Sequence, residues 1–361
     1  MNSLSSELTF PCPSDLERRQ IFFWLKKTSS ATAWRRIFRF YKDWADITEK
    51  SIQEADAQGW NEKTTLPESD YVLILKSLAH CEEGVIRLEK GDKRVFKFDA
   101  NGEFAMASRI LNHWLEIEHR IKTGDNGVDE AHTPFWHEFC QAMEQLANAW
   151  RESSVPILER RYLEDPAPIT YNDWLKEELI KTLFSDEIGL VPDPAENIFI
   201  KTHEVVPVSG IWEPIQGETK KSSLLTLFSK TPKPQPPFIV LGSMNYLHGG
   251  SDAPQITLSN NNDSVDLDTT WRLLWRDDRY LDGTLPTEEL SYMFANPEIT
   301  SMPFIHNDSV GETVWAESGT KAPVAGKWLV ESDLNAKVTL EKGALLPLWK
   351  GREVRWILAF K

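Results

Sequence analysis

The chain has 361 residues and is acidic, with 55 Asp and Glu against 40 Lys and Arg and a formal net charge of −15. A field of that sign repels nucleic acid and anionic membranes and draws in cationic partners, so it argues against a DNA- or RNA-binding role. No apolar run approaches the roughly 20 residues that a membrane span needs. Three cysteines, Cys12, Cys81 and Cys140, are odd in number and far apart. That suits small buried thiols in a reducing compartment, not a disulfide framework or a zinc site. The stretch from Met1 to Asp15 shows neither the basic nor the apolar region of a signal peptide, so the expected compartment is the cytoplasm.

The first half reads as helices. Ser14 and Glu17 stand at capping-box spacing, ahead of an apolar patch of Ile21, Phe22, Trp24 and Leu25. A second helix follows Thr28-Ser29-Ser30 with Trp34, Phe38 and Tyr41 at helical spacing, and Gly59 ends it. Pro67-Glu68-Ser69-Asp70 caps a third, which Glu82 and Glu83 follow. Val95, Phe96 and Phe98 alternate within Arg87 to Asn101 and predict a hairpin. Helices are then expected from about Phe104 to Lys122, after Pro134 with Pro156 near its end, and after Tyr171-Asn172-Asp173 with Trp174, Leu175, Leu179, Ile180 and Leu183 on its apolar side.

Past Gly189-Leu-Val-Pro-Asp-Pro194 the texture changes to short β-like runs, such as Ile198-Phe-Ile200, Phe238-Ile-Val-Leu241 and Trp271-Arg-Leu-Leu-Trp275, punctuated by Pro, Gly and Asn. Residues 216–237, with Pro-Lys-Pro-Gln-Pro-Pro, read as a mobile surface loop. The fold class expected is therefore α+β: a helical bundle over 1–188 and a β-rich, barrel- or sandwich-like domain over 189–361. Within the latter a hexapeptide occurs twice, Pro207-Val-Ser-Gly210-Ile-Trp212 and Pro323-Val-Ala-Gly326-Lys-Trp328. The Pro-to-Gly turn lets a backbone approach closely, and the Trp buries a large ring against it. Gly283-Thr-Leu-Pro286 and Gly343-Ala-Leu-Leu-Pro347 read as a second, downstream echo, and together they suggest a duplicated β module.

Concentrated chemistry is hard to find. The eight histidines form no His-Glu-x-x-His pair, and His132, His137, Glu138 and Cys140 straddle Pro134. Ser243 in Leu241-Gly-Ser-Met244 lacks the second glycine of a nucleophile elbow, and Gly249-Gly250 after His248 reads as a turn. Asp277-Asp278, Glu82-Glu83 and Glu288-Glu289 are acid pairs, but Arg272, Arg276 and Arg279 around the first favour internal ion pairs. No cofactor, metal or catalytic set is assigned, and the enzyme reading is the weaker one.

The second half resembles bacterial immunity proteins found with polymorphic toxins, including effectors of type VI secretion. The resemblance rests on Val206-Pro-Val-Ser-Gly-Ile-Trp-Glu-Pro214, Met244-Asn-Tyr-Leu247, Thr270 through Gly283, Pro323-Val-Ala-Gly-Lys-Trp328 and Lys342-Gly-Ala-Leu-Leu-Pro347. The helical half is similar to the helical domain of the same group in helix content and aromatic texture. What the resemblance implies is a stoichiometric inhibitor of a secreted toxin, with a basic, cytosol-acting enzyme such as a nuclease as the expected target. The acidic charge and the lack of a long apolar run leave neither nucleic acid nor membrane as an expected partner, and the oligomeric state stays open. Pro207, Gly210, Trp212, Pro323, Gly326 and Trp328 are assigned to structure, and the acids Glu82, Glu83, Asp92, Asp277, Asp278 and Asp282 are the expected toxin-binding set, read as exposed. An adaptor of a secretion or defence system, and a hydrolase with a dispersed site, stay open beside this reading.

Overall fold

The computed structural model describes residues 11–159, 169–185, 188–194, 197–218, 234–260, 263–295, 314–331 and 333–360. Two compact units divide the chain. The first takes in Met1–Trp34, Arg87–Phe98 and Glu152–Ser301, the second Arg35–Ile86, Asp99–Arg151 and Met302–Lys361. All six described helices precede the eleven described strands, and every strand pair is antiparallel, so the class is α+β. No sheet closes into a barrel among the described residues.

Local sequence starts the helices as expected. At the head of α1 (Asp15–Thr28) the Ser14 Oγ accepts from the Glu17 N–H, and the Glu17 carboxylate accepts from the Ser14 N–H at 2.9 Å. Asn172 caps α6 (Asp173–Lys181) through its side chain. Of the apolar residues expected to face inward on α6, only Leu175 and Leu179 are buried, while Ile180 is 84% exposed and Trp174 and Leu183 are also exposed. In the second unit Tyr41 and Trp44 of α2 (Ala31–Ala57), Trp114 of α4 (Glu103–Lys122) and Phe139 of α5 (Trp136–Ile157) form one chain of tilted and edge-on rings.

Two local expectations fail. Glu82 and Glu83 lie inside α3 (Glu68–Glu89), not after it. The segment expected as a hairpin is the end of α3 followed by a 3-10 turn at Lys93–Phe96. The Asp92 carboxylate accepts the Arg94 N–H and is held by the Arg87 and Arg94 guanidiniums, and this side-chain cap outcompetes an extended backbone. The ends of the proposed loop 216–237 belong to strands; its centre, 219–233, lies outside the described residues.

The β region is built from one module used twice. In the first unit β1 (Phe199–Lys201), β7 (Thr270–Arg276), β2 (Gly210–Glu218) and β3 (Gln235–Val240) lie side by side, and β4 (Asn245–Leu247) pairs with the start of β2. In the second unit the order is β8 (Trp315–Glu317), β11 (Arg355–Phe360), β9 (Gly326–Val330), β10 (Asp333–Leu340). The two sheets correspond strand for strand, with β3 and β4 together standing where β10 stands. Gly210↔Leu247 matches Gly326↔Leu340, Trp212↔Leu273 matches Trp328↔Leu358, and Pro214↔Trp271 matches Val330↔Trp356.

The correspondence reaches single hydrogen bonds. Val206 N–H donates to Ser251 O and Gly250 N–H to Val206 O; Ala322 and Gly343 repeat both bonds with Ala344 and Ala322. The Thr202 hydroxyl accepts the Thr269 N–H and lies 3.3 Å from Pro254 O, as the Ser318 hydroxyl accepts the Val354 N–H and donates to Pro347 O. Trp271 Nε1 donates to Pro254 O at 2.8 Å and Trp356 Nε1 to Pro347 O at 3.1 Å. The indole N–H groups of Trp212 and Trp328 are buried without a partner in both copies. The structure thus pairs Gly343–Pro347 with Gly250–Pro254. The echo with Gly283–Pro286 is corrected, because Gly283 follows β7 whereas Gly343 precedes β11, the counterpart of β7. β5 (Ile256–Asn260) and β6 (Asp263–Leu267) form a longer version of the Trp349–Arg352 turn.

Each module buries its two tryptophans on one face. Trp212 and Trp271 pack with Ile200, Val206, Ala253 and Leu273; Trp328 and Trp356 pack with Ala316, Ala322, Leu346 and Leu358. Val206 and Ala253 become Ala322 and Leu346, so volume lost at one position returns at another. Gly210 has no room for a side chain, since a Cβ there would lie 2.2 Å from the Trp275 carbonyl oxygen.

Candidate functional site

The six acids read from sequence lie in different surroundings. Glu83 is exposed and Glu82 half-buried on α3 in the second unit. The other four lie in the first unit. Asp278 and Asp282 are exposed in the turn that follows β7, where Asp278 pairs with Arg276 at 2.9 Å. Hydrogen bonds from the Thr284 N–H and hydroxyl hold the Asp282 carboxyl below its usual range. Leu281 between them is 67% exposed, and a Cβ on Gly91 would fall 2.7 Å from its Cδ2. The half-buried Asp92 therefore lies beside the same turn, its carboxyl kept far below the usual range by hydrogen bonds from Arg94 and Arg87.

Asp277 departs from the expected exposure. Its carboxylate is buried, takes two bonds from the Arg279 guanidinium, a third from the Arg279 N–H and one from Tyr246 at 2.9 Å, and stands 3.5 Å from Lys93 Nζ. Burial alone would raise its pKa, but these cations and donors hold it low. Arg279 continues to the Lys26 and Ser29 carbonyls, while Glu289 accepts from the Tyr280 hydroxyl and from Thr32. The network ties the end of β7 to α1 and to the first turn of α2, so Asp277 and Arg279 act as scaffold, in line with the internal ion pairing expected for this pair. The reason Asp277 and its neighbour Asp278 differ is the alternation of side chains at the end of a strand.

A cavity of about 450 Å³ lies wholly within the first unit, between the C-terminal end of α5, residues 169–174 and the β4 edge. His248, Glu159, Ser251, Asp252, Asn245 and Tyr246 are among its polar lining residues, with Thr170 and Asn172. Glu159 accepts from the Phe98 N–H at 2.8 Å, and the Asn245 amide exchanges hydrogen bonds with the backbone of Ile169. The His248 ring is 7% exposed and hydrogen-bonds to the Ile157 backbone, while its Nδ1 has no partner. Burial lowers the His248 pKa to about 4, so at neutral pH the ring is uncharged and Nδ1 offers a lone pair. The sequence marks none of these cavity residues as a site; its signal is the Met244–Leu247 stretch of the resemblance, and His248 reads there as part of a turn.

Among the described residues no group of three or more His, Cys, Asp or Glu is placed to hold a metal ion, and no helix is long and apolar enough to cross a membrane. The three cysteines are free thiols. Polar chemistry in the first unit is thus split between an internal ion-pair network and two other features, an acidic turn and a cavity with acceptors in its lining. Compared with known protein families, residues 12–168 match the model of Immunity protein 71 and residues 192–293 that of Immunity protein 72. The chain belongs to the immunity proteins, with a helical part and a first β module that each carry one family's signature. Neither the curated proteins nor the solved structures hold a significant match to it.

Proposed function

We propose that this protein neutralises a cognate secreted toxin by binding it stoichiometrically in the cytoplasm, and that the toxin domain is basic, such as a nuclease. The observation that carries the reading is the presence of two immunity-family signatures on one chain. The net charge of −15 supports a cationic partner, because opposite fields raise the association rate more than they raise the final affinity. Two separate acidic patches are proposed for docking: Asp278, Asp282 and Asp92 around exposed Leu281 in the first unit, and, by itself, Glu82 with Glu83 on α3 in the second. Asp277 is left out, since its carboxylate is buried. Delivery of the toxin by a secretion system, type VI among them, belongs to the same proposal.

Co-expression of this protein with the toxin domain encoded beside it tests the reading, with survival and pull-down across a salt series as readouts. Rescue with a complex that weakens steeply as salt rises is the expected result. Toxicity without rescue or binding would overturn neutralisation, and rescue insensitive to salt would overturn the electrostatic docking. Asp278→Lys with Asp282→Lys should slow association about tenfold and leave the thermal transition within about 0.5 kcal/mol of the parent.

A further inference from the structure

We propose that Phe135 is an aromatic anchor on which the second unit seats a lysine- or arginine-bearing surface of the cognate toxin; the inference rests on the neutralisation reading above. Phe135 ends the α4–α5 connection, Thr123–Phe135, and breaks three local rules at once. Its φ is +57°, in the left-handed region where a bulky side chain is strained. It stands directly before α5, where its carbonyl accepts the Phe139 N–H at 2.9 Å. A Ser, Thr, Asp or Asn at such a place offers an acceptor to the first-turn N–H groups, and a phenyl ring has none. Nor is the ring fully buried in exchange, since the residue is 44% exposed. Glycine would meet the backbone demand without strain, and asparagine would also cap the helix. Folding alone therefore gives no reason for a phenylalanine, and a strained, exposed aromatic at a helix start marks a contact with another molecule.

The connection holds this ring in place before any partner arrives. At 13 residues it exceeds the roughly 2–8 usual between packed helices, yet it is tied down along its length. The Asp129 N–H donates to the Thr65 hydroxyl, the Thr65 N–H to the Thr133 hydroxyl at 2.9 Å, and the Ser51 hydroxyl to the Pro134 carbonyl. The Asp129 carboxylate meets His132 Nδ1 at 2.7 Å, and Trp60 stands edge-on to the His132 ring. Beside Phe135, Trp136 stacks on the buried Phe139 and stays partly exposed. All these residues fall within 11–159, a stretch described without a break. A ring held this firmly loses little entropy when a partner covers it. The surrounding charge selects a cation. From Thr123 to Trp150 there is no Lys or Arg, while Asp125, Asp129, Glu130, Glu138 and Glu144 are all exposed. Glu144 pairs with Lys122, and in the neighbouring stretch 58–67 Glu62 and Lys63 cancel, so the excess stays negative. A cationic side chain over an aromatic face gains a cation–π attraction that an anion does not, and nearby carboxylates accept its N–H groups.

Binding to the adjacently encoded toxin domain, measured with the full chain, tests the anchor. Phe135→Gly removes the ring and the backbone strain together. It is expected to weaken affinity at least tenfold and to keep the melting temperature within about 4 °C of the parent, because relief of strain offsets the lost ring contacts. Phe135→Tyr keeps an aromatic face and should bind within about threefold of the parent. Glu130→Lys with Glu138→Lys should slow association about tenfold. Parent-like binding by Phe135→Gly overturns the anchor alone, as does a melting temperature far below the parent's, since the ring would then serve the fold. A Phe135→Tyr loss as large as that of Phe135→Gly overturns the aromatic contact, and unchanged association in the double lysine variant overturns the cationic partner. Failure of the unaltered protein to bind or rescue overturns the neutralisation reading itself and the anchor with it.

Discussion

The two copies of the β module bury the same tryptophans and then solve the opposite face in opposite ways. In the first copy the cross-strand pair behind the tryptophans is Glu213 and Arg272; in the second the same positions hold Leu329 and Ile357. Glu213 is fully buried and joins Arg272 to Arg18 of α1 at 3.1 and 2.7 Å. Leu329 and Ile357 instead pack with Val72 and Ala79 of α3. One scaffold thus seats a helix by a buried ion pair in one unit and by apolar contact in the other. The backbone network, common to both, is indifferent to which is used. What differs is the sensitivity of each seat: an ion pair is strongly stabilising only while complete, whereas an apolar seat degrades in proportion to the volume removed.

Removing the shared counter-charge should have the largest effect. Glu213→Ala leaves Arg18 and Arg272 without a partner and is expected to cost about 3–5 kcal/mol, read by hydrogen exchange on β2 and β7. Giving the first copy the second copy's pair, Glu213→Leu with Arg272→Ile and with Arg18→Met, should recover most of that loss. A triple variant as unstable as the single one would show that the two seats are not interchangeable. Leu329→Ala is expected to cost about 2–5 kcal/mol in the second unit, with protection lost in β9 and β11 and kept in β2 and β7.

Smaller effects test whether the copies are equivalent where they look alike. Thr202→Val and Ser318→Ala each strand an N–H, of buried Thr269 and of half-buried Val354, and should each cost about 1–3 kcal/mol. Costs that differ by more than about 1 kcal/mol would break the equivalence of the two hydrogen-bond networks. The pH response should then divide them. His248, which has Glu341 in its place in the second copy, is held neutral by burial with a pKa lowered to about 4. The unfolded chain takes up this proton first, so the contribution is complete above pH 6.5 and falls as pH drops toward 4. By pH 5 the loss should reach about 2 kcal/mol in the first unit and vanish in His248→Gln. His80 of the second unit, its pKa also lowered by burial, keeps its own acid response in that variant.

Much of the local structure was legible because its causes lie within a few residues. Ser14 with Glu17 and Asn172 mark helix starts through their own side chains, and Pro-Val-x-Gly-x-Trp marks both β modules through a turn that only glycine fits at position 210. At Lys93–Phe96 the hydrophobic alternation reads as a strand, and the Asp92 cap that sets the 3-10 turn outweighs it. The site was less legible. Asp277 and Asp278 are neighbours of one type, and only the strand's alternation and the arrival of Arg279 and Lys93 bury one and leave the other in water. His248 reads as a residue before a Gly-Gly turn until Ile157 and Glu159 are brought against it from nearly a hundred residues away.

The sequence by itself determined the class α+β, the helix caps, the acidic field and the two tryptophan corners, all of which follow from composition or from contacts close along the chain. The tertiary structure decided that Gly250–Pro254 is the counterpart of Gly343–Pro347, that each unit is assembled from three separated segments, and which acids and histidines lose their water. Those outcomes depend on strand register and on desolvation by distant elements, and neither quantity is carried by any short stretch of residues.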